Sequence, residues 1–420
     1  MFNRNIKALN LTRWQAWSRR PIWLTLILLA GLLSACSSAA PVPVSNATPD
    51  LALTQAFDVA METAMQSLLP TATPTTPPTS TPTEPPPTPS PSPTPLRTPS
   101  PLPPAFSSWV LDEDVTPVTY IEDQCLYLKN RWDPNKSSPG TVVMTIMYHS
   151  VTEDYNPLSP DGSQVHHSEL VKMLEHAREV GFETITADQL AGFLESNERI
   201  PRRSLLLIVD DRKRKEYYET HFIPHLKEYG WKITNAWISA KDTPDYLWKE
   251  NEEVVQAGWV DVQAHGVVHN IPIGEYSTDE YIRGELLGSI EAIEAHHGKR
   301  PVAFIWPGGG FTARAAELAR EAGYKLGFPT NPRGPVMFNW IPQAEATNPN
   351  HPHWLPEIPA GDALMTLPRY WSMDAAYRID DVITIGDDAS AEAEKNKALE
   401  LEYYDVMCKG RTGEIPTPVP

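Results

Sequence analysis

The sequence predicts an α/β protein, a distorted (β/α)7 barrel, and three observations lead there. From about residue 105, seven short β-like apolar runs alternate with amphipathic helical stretches, the order expected of parallel strands joined by crossovers. No Gly-rich phosphate loop opens any of these units, which favours a barrel over a doubly wound sheet. A Pro-rich tract stands ahead of the alternation, so the globular part is one continuous block.

The chain begins with an export pattern. Arg4, Lys7, Arg13, Arg19 and Arg20 precede the apolar run 22–33, which is short for a bilayer span and is followed by small residues. Leu33-Ser34-Ala35-Cys36 resembles a bacterial lipobox. That resemblance implies a signal peptide over 1–35, lipidation of Cys36 and an exported protein anchored to the membrane through its N-terminus. A plain cleaved signal with an incidental cysteine is the other reading. Residues 36–69 form a short segment with helical spacing in its second part. Residues 70–104 are almost wholly Pro, Thr and Ser, a composition that builds no core and makes a semi-rigid spacer. The formal net charge of the 420 residues is −18, with no long basic tract beyond the first twenty positions, which argues against a nucleic-acid partner.

Within the block 105–385 the expected strands are "TVVMTIMYH" (141–149), "FETITA" (182–187), "SLLLIVDD" (204–211), "KITNAWIS" (232–239), "WVDVQAHG" (259–266), "PVAFIWPGG" (301–309) and "KLGFPTN" (325–331). Helical periodicity covers 167–181, 215–230, 248–258, 277–298 and 312–323. The segment 386–420 is expected as a separate polar helix and tail. Trp340, Trp354 and Trp371 either line a binding cleft or pack the ragged end of the barrel.

In such folds reactive groups collect at the carboxyl ends of the strands. Here those ends carry Tyr148-His149, Asp210-Asp211, and His265 with His269. Two like charges side by side at a buried strand end are costly, and a dication would relieve one of them. Two histidines and one carboxylate make a three-ligand zinc set with an open position for water. The second aspartate is then free to act as a base.

These motifs resemble those of the polysaccharide deacetylases (carbohydrate esterase family 4, NodB-homology domain). "IVDDR" (208–212) is similar to the family's first motif, "LWKENEEVVQAGWVDVQAHGVVHN" (247–270) to the helix leading into its His-x-x-x-His motif, and "FIWPGGG" (304–310) stands in place of the third. The Tyr-His at the first strand end is similar to that of the poly-N-acetylglucosamine deacetylase branch. The resemblance implies that Asp211, His265 and His269 hold a divalent metal, zinc. It implies that Asp210 is the general base and His149 the general acid. It further implies that Gly308 supplies an oxyanion N–H, with Trp306 on the substrate side. The substrate would be an N-acetylated polysaccharide outside the cytoplasm. Three departures stand out: Arg212 replaces the motif glycine, Ile305 the third-motif arginine, and "LPRY" (367–370) lacks the late histidine. They leave open a degenerate fold that only binds glycan. The charge run Arg212–Arg214 is expected to face solvent. Besides Cys36 the chain has only Cys125 and Cys408, which flank the domain and form either a disulfide or two separate buried thiols.

Overall fold

The structure, a computed structural model, describes residues 97–418. The expected signal peptide, Cys36, the segment 36–69 and residues 70–96 of the linker lie outside the described residues. In chain order the elements are β1 (Val115–Val118), α1 (Gln124–Trp132), β2 (Val142–Tyr148), β3 (Ser150–Thr152), β4 (Gln164–His166), α2 (His167–Glu179), β5 (Glu183–Thr184), α3 (Ala187–Ser196) and β6 (Arg203–Asp210). There follow α4 (Lys215–His221), α5 (Ile223–Tyr229), β7 (Ile233–Trp237), α6 (Asp245–Gln256), β8 (Val260–Ala264), α7 (Asp279–His297), β9 (Ala303–Ile305) and α8 (Ala313–Glu321). The chain ends with β10 (Leu326–Phe328), β11 (Ile341–Ala344), β12 (Tyr370–Trp371), α9 (Ala375–Tyr403) and α10 (Lys409–Thr412).

The main sheet runs β10-β9-β8-β7-β6-β2-β12 and every neighbour is parallel. From β2 to β10 each new strand is added on the same side, with no reversal of direction, so the sheet curls as a barrel does. The expected barrel class is therefore what the chain forms. Six of the seven expected strands lie on this path. The run 182–187 does not: only Glu183 and Thr184 pair, at the edge of β6. Thr186 leaves the strand to cap α3, its hydroxyl accepting the Gln189 N–H while the Gln189 side chain accepts the Thr186 N–H. The seventh place belongs to β12, where Tyr370 pairs with Ile146. Just before it, the Leu367 N–H donates to Gly327 O of β10 (2.8 Å), so one short segment touches both edges of the curled sheet.

Strand parity fixes what points where. In β6, Leu205, Leu207 and Val209 join the core beneath the outer helices, while Leu206 and Ile208 join a second core with Val143, Ala236, Ile305 and Phe328. Asp210 continues the parity of Leu206 and Ile208. In β8, Val262 and Ala264 pack outward against α7, whereas Asp261 and Gln263 alternate with them and His265 continues that polar row.

Two helical expectations change. The stretch 215–230 is two helices broken at Phe222 (φ −118°, ψ −55°), because Pro224 in the first turn of α5 has no N–H to continue the ladder. The helix α9 runs across the expected boundary at 385/386, and its Ile379, Val382 and Ile385 share a core with β2. Cys125 of α1 and Cys408 are disulfide-bonded, with Cα atoms 5.1 Å apart.

Candidate active site

The two adjacent aspartates part company at the end of β6. Asp210 stays in register and is buried, 1% exposed. Arg369 Nη1 donates to both its oxygens, at 2.8 and 3.0 Å, and Arg369 is itself fully buried. That guanidinium is fixed in turn: its Nε donates to Pro329 O (2.8 Å) and its backbone N–H to Asn331 O. His149 Nε2 lies 3.4 Å from Asp210 Oδ2. Burial alone would raise the Asp210 pKa, but Arg369 above all, with His149 and His265, outweighs it and holds the carboxyl at about 2.

Asp211 turns out of the strand with φ +72°, a left-handed conformation that aspartate tolerates better than most residues. Asn235 Nδ2 donates to Val209 O and Asp211 O, bracing this turn, and Asn251 of α6 donates to Asn235 Oδ1. Across from it stand His265 and His269, with Asp211 Oδ1 3.9 Å and 3.3 Å from their Nε2 atoms. The two Nε2 atoms are 3.1 Å apart. Asp211, His265 and His269 are the only such group of metal-capable side chains among the described residues. His265 Nδ1 is 2.8 Å from Ile305 O, which can only accept, so Nδ1 carries the proton and Nε2 offers its lone pair. Burial lowers the His265 pKa to about 4, so the ring is neutral at pH 7. One carboxylate, two convergent imidazole lone pairs and a fixed tautomer fit a divalent cation.

The histidine turn is held by a residue that the sequence reading missed. Glu285 of α7, 1% exposed, accepts the backbone N–H groups of Val267, Val268 and His269 at 2.9, 2.8 and 3.3 Å. Gly266 (φ +79°) lets this happen, since a Cβ there would lie 2.4 Å from Glu285 Oε2. His269 is also left-handed (φ +60°), so two of the three candidate ligands sit in strained backbone. A lone acid on the buried face of a helix was the available signal.

Other expectations fare differently. His149 lies against Asp210, and its ring faces Trp371 at 6.1 Å and 23°. Trp371 is thus the tryptophan that reaches the site. Trp340 is buried with its N–H donated to Phe106 O, and Trp354 stacks on His351. Gly308 is exposed at the turn Pro307–Gly309 that follows β9. Trp306 is no substrate contact: it is fully buried, packs edge-on against Phe304 and donates its N–H to Met365 O (2.8 Å). The charge run does not uniformly face solvent either. Arg214 is exposed and bound to Glu250, but Arg212 donates to Thr243 and Lys213 Nζ lies 3.6 Å from Asp211 Oδ2.

A curled parallel sheet thus carries a carboxylate–imidazole cluster at its strand ends, the arrangement of a NodB-type barrel. Residues 197–327 match the polysaccharide deacetylase family model. The match includes Asp210, Asp211, His265 and His269 but leaves His149 and Arg369 outside. Among solved structures, the chain is similar to a Streptococcus pyogenes deacetylase, PplD, in complex with acetate (19% identity, TM-score 0.44, covering 58% of this chain and 98% of that one). It is also similar to IcaB from Ammonifex degensii (18%, 0.43, 59% and 97%) and a polysaccharide deacetylase from Bacillus cereus (17%, 0.41, 58% and 69%). No curated protein matches the chain.

Proposed function

We propose that this protein is an extracytoplasmic, zinc-dependent N-deacetylase acting on an N-acetylglucosamine-containing polysaccharide. The observation that carries the reading is the convergence of Asp211, His265 and His269 beside a second, unshared carboxylate pinned by Arg369. A zinc ion held by the three would acidify a water and polarise the acetamide oxygen. Asp210, ionised at neutral pH, takes the proton as the water oxygen bonds to the acetyl carbon. The carbon–nitrogen bond then breaks, and His149 gives the departing amine a proton, leaving acetate and a free amino sugar. With 3.4 Å between His149 and Asp210, the proton gained by one is within reach of the other. The exposed Gly308 amide is the nominated oxyanion donor, and Trp371 offers an aromatic wall for a sugar face.

The departures that left a degenerate binding module open lose much of their force. Arg369 stands where the missing third-motif arginine would act, and Asp211 adopts the left-handed turn without the motif glycine. Export and anchoring through a lipid on Cys36 belong to the same proposal; Cys36→Ser should release the protein from membranes on fractionation. The central test is acetate release from N-acetylglucosamine oligomers by metal-stripped and zinc-restored protein. Activity only in the restored sample is expected, and equal activity in both would refute the metal-dependent reading.

A further inference from the structure

Arg369 stands just ahead of β12 and reaches Asp210 across the site, so the arginine must itself be fixed. Two of its nitrogens are held by the segment that leaves β10. Pro329 O accepts from Nε (2.8 Å) and Asn331 O accepts the backbone N–H (3.1 Å). The same segment abuts the turn that presents Gly308, since a Cβ at Gly309 would lie 2.5 Å from Thr330 Oγ1. Residues 329–331 therefore border both the proposed base and the nominated oxyanion donor.

The strand β10 ends at Phe328, and the backbone beyond it joins no strand before β11. What fixes this segment is the Asn331 side chain, in a residue only 2% exposed. Asn331 Nδ2 donates to Leu355 O (2.7 Å) and to Glu357 Oε1. Glu357, 1% exposed, is clamped on Ala344: its Oε2 accepts the Ala344 N–H (2.8 Å) and its own N–H donates to Ala344 O (3.1 Å). Ala344 closes β11, which pairs with β1 in a two-stranded sheet separate from the main one. Buried polar groups with their partners satisfied hold a single geometry. A line of such bonds runs from the outlying sheet through Glu357, Asn331 and Arg369 to Asp210.

We propose that Asn331 is a positioning residue for the deacetylation, holding Arg369, and through it Asp210, on a foundation made by Glu357 and the β1–β11 sheet; this rests on the deacetylase reading above. Without Nδ2 the Asn331 carbonyl is free to turn, and a misplacement of about 1 Å at a reacting group can cost about 10² in rate. Arg333 supplies a control. Its Nε also donates to Glu357 Oε1 (3.2 Å), but its side chain bonds neither Asn331 nor Arg369.

The test is steady-state acetate release by the full chain. Asn331→Leu should lower kcat by roughly 10–100-fold and leave KM and zinc content unchanged. Glu357→Gln keeps an acceptor for Asn331 but turns a donor on the Ala344 N–H, so it should show a smaller fall of the same kind. Arg333→Met should lower the melting temperature and keep kcat. An undiminished kcat in Asn331→Leu, or an equal fall in Arg333→Met, overturns the proposal. Where Asn331→Leu does not fold, an unaltered kcat in Glu357→Gln does the same. Wild-type protein that releases no acetate defeats the deacetylase reading instead. Crystal structures of wild type and variant then decide the positioning, and Arg369 still bonded to both oxygens of Asp210 in Asn331→Leu refutes it.

Discussion

Arg369 decides how Asp210 behaves. A carboxylate with 1% exposure is stable as an anion only if a cation reaches it, and Arg369 does so with one nitrogen on both oxygens. Arg369→Met should therefore cost on the order of 3–5 kcal/mol of stability, read by denaturant unfolding, because it strands a buried charge. In the same variant kcat should fall more than KM rises, since the base loses its orientation; Arg369→Lys should recover part of the stability and little of the rate. Asp210→Asn should lower kcat by about 10²–10⁴ while zinc content stays unchanged, separating the base from the ligands. Undiminished turnover would remove Asp210 from the chemistry. The proposed ligands and the proposed base were legible in the sequence because each stands at a strand end in a spaced motif. Arg369 was not, although "LPRY" drew attention as a motif without its histidine. Its partner is a residue of a distant strand, met only once β12 takes its place beside β2.

At the scale of elements, strand parity made the site readable. Leu206, Ile208 and Asp210 alternate with Leu205, Leu207 and Val209, and the same alternation turns His265 inward. What parity could not reveal is the contribution of α7, whose Glu285 collects three backbone donors of the histidine turn. Glu285→Gln replaces one carboxylate oxygen with a donor facing those N–H groups. Zinc affinity should fall about 10–100-fold, and added zinc should restore acetate release. A lowered melting temperature without zinc rescue would mean that Glu285 only supports the fold. The far end of α7 makes a separate prediction. Burial, reinforced by His296, lowers the His297 pKa to about 4 despite Glu252, against about 6.5 in the unfolded chain. With the folded pKa the lower one, the unfolded state binds more protons below pH 6.5. The contribution of His297 is full above that value and is lost as pH falls toward 4. His297→Gln should flatten the decline of melting temperature between pH 6.5 and 4, and an unchanged slope would assign it to other groups.

Across the whole molecule, stability and chemistry sit at opposite ends of the strands. The site occupies their carboxyl ends, and a clamp between the two ends of the domain lies by their amino ends. There Cys125 is bonded to Cys408, Arg131 and Trp132 donate to Glu400, and Lys129 reaches Thr412 O. Residues 137–141, which lead into β2, share with Arg131 and Glu400 the lining of a cavity of about 360 Å³. Position in the chain made this pairing legible, since the two cysteines bracket the alternating block. The role of α9 as a core helix was hidden because its second half is polar while Ile379, Val382 and Ile385 are buried. The disulfide closes a loop of 283 residues, so most of its effect falls on the unfolded chain, which loses conformations when cross-linked. Cys125→Ser/Cys408→Ser should lose about 2–5 kcal/mol of unfolding free energy. Acetate release at 25 °C should be unchanged, because no ligand, base or acid of the site touches the clamp. Thermal inactivation would then set in at a lower temperature with kcat intact below it. A fall in kcat in still-folded variant would show that the clamp acts on the distant strand ends after all, carried through β2 to His149.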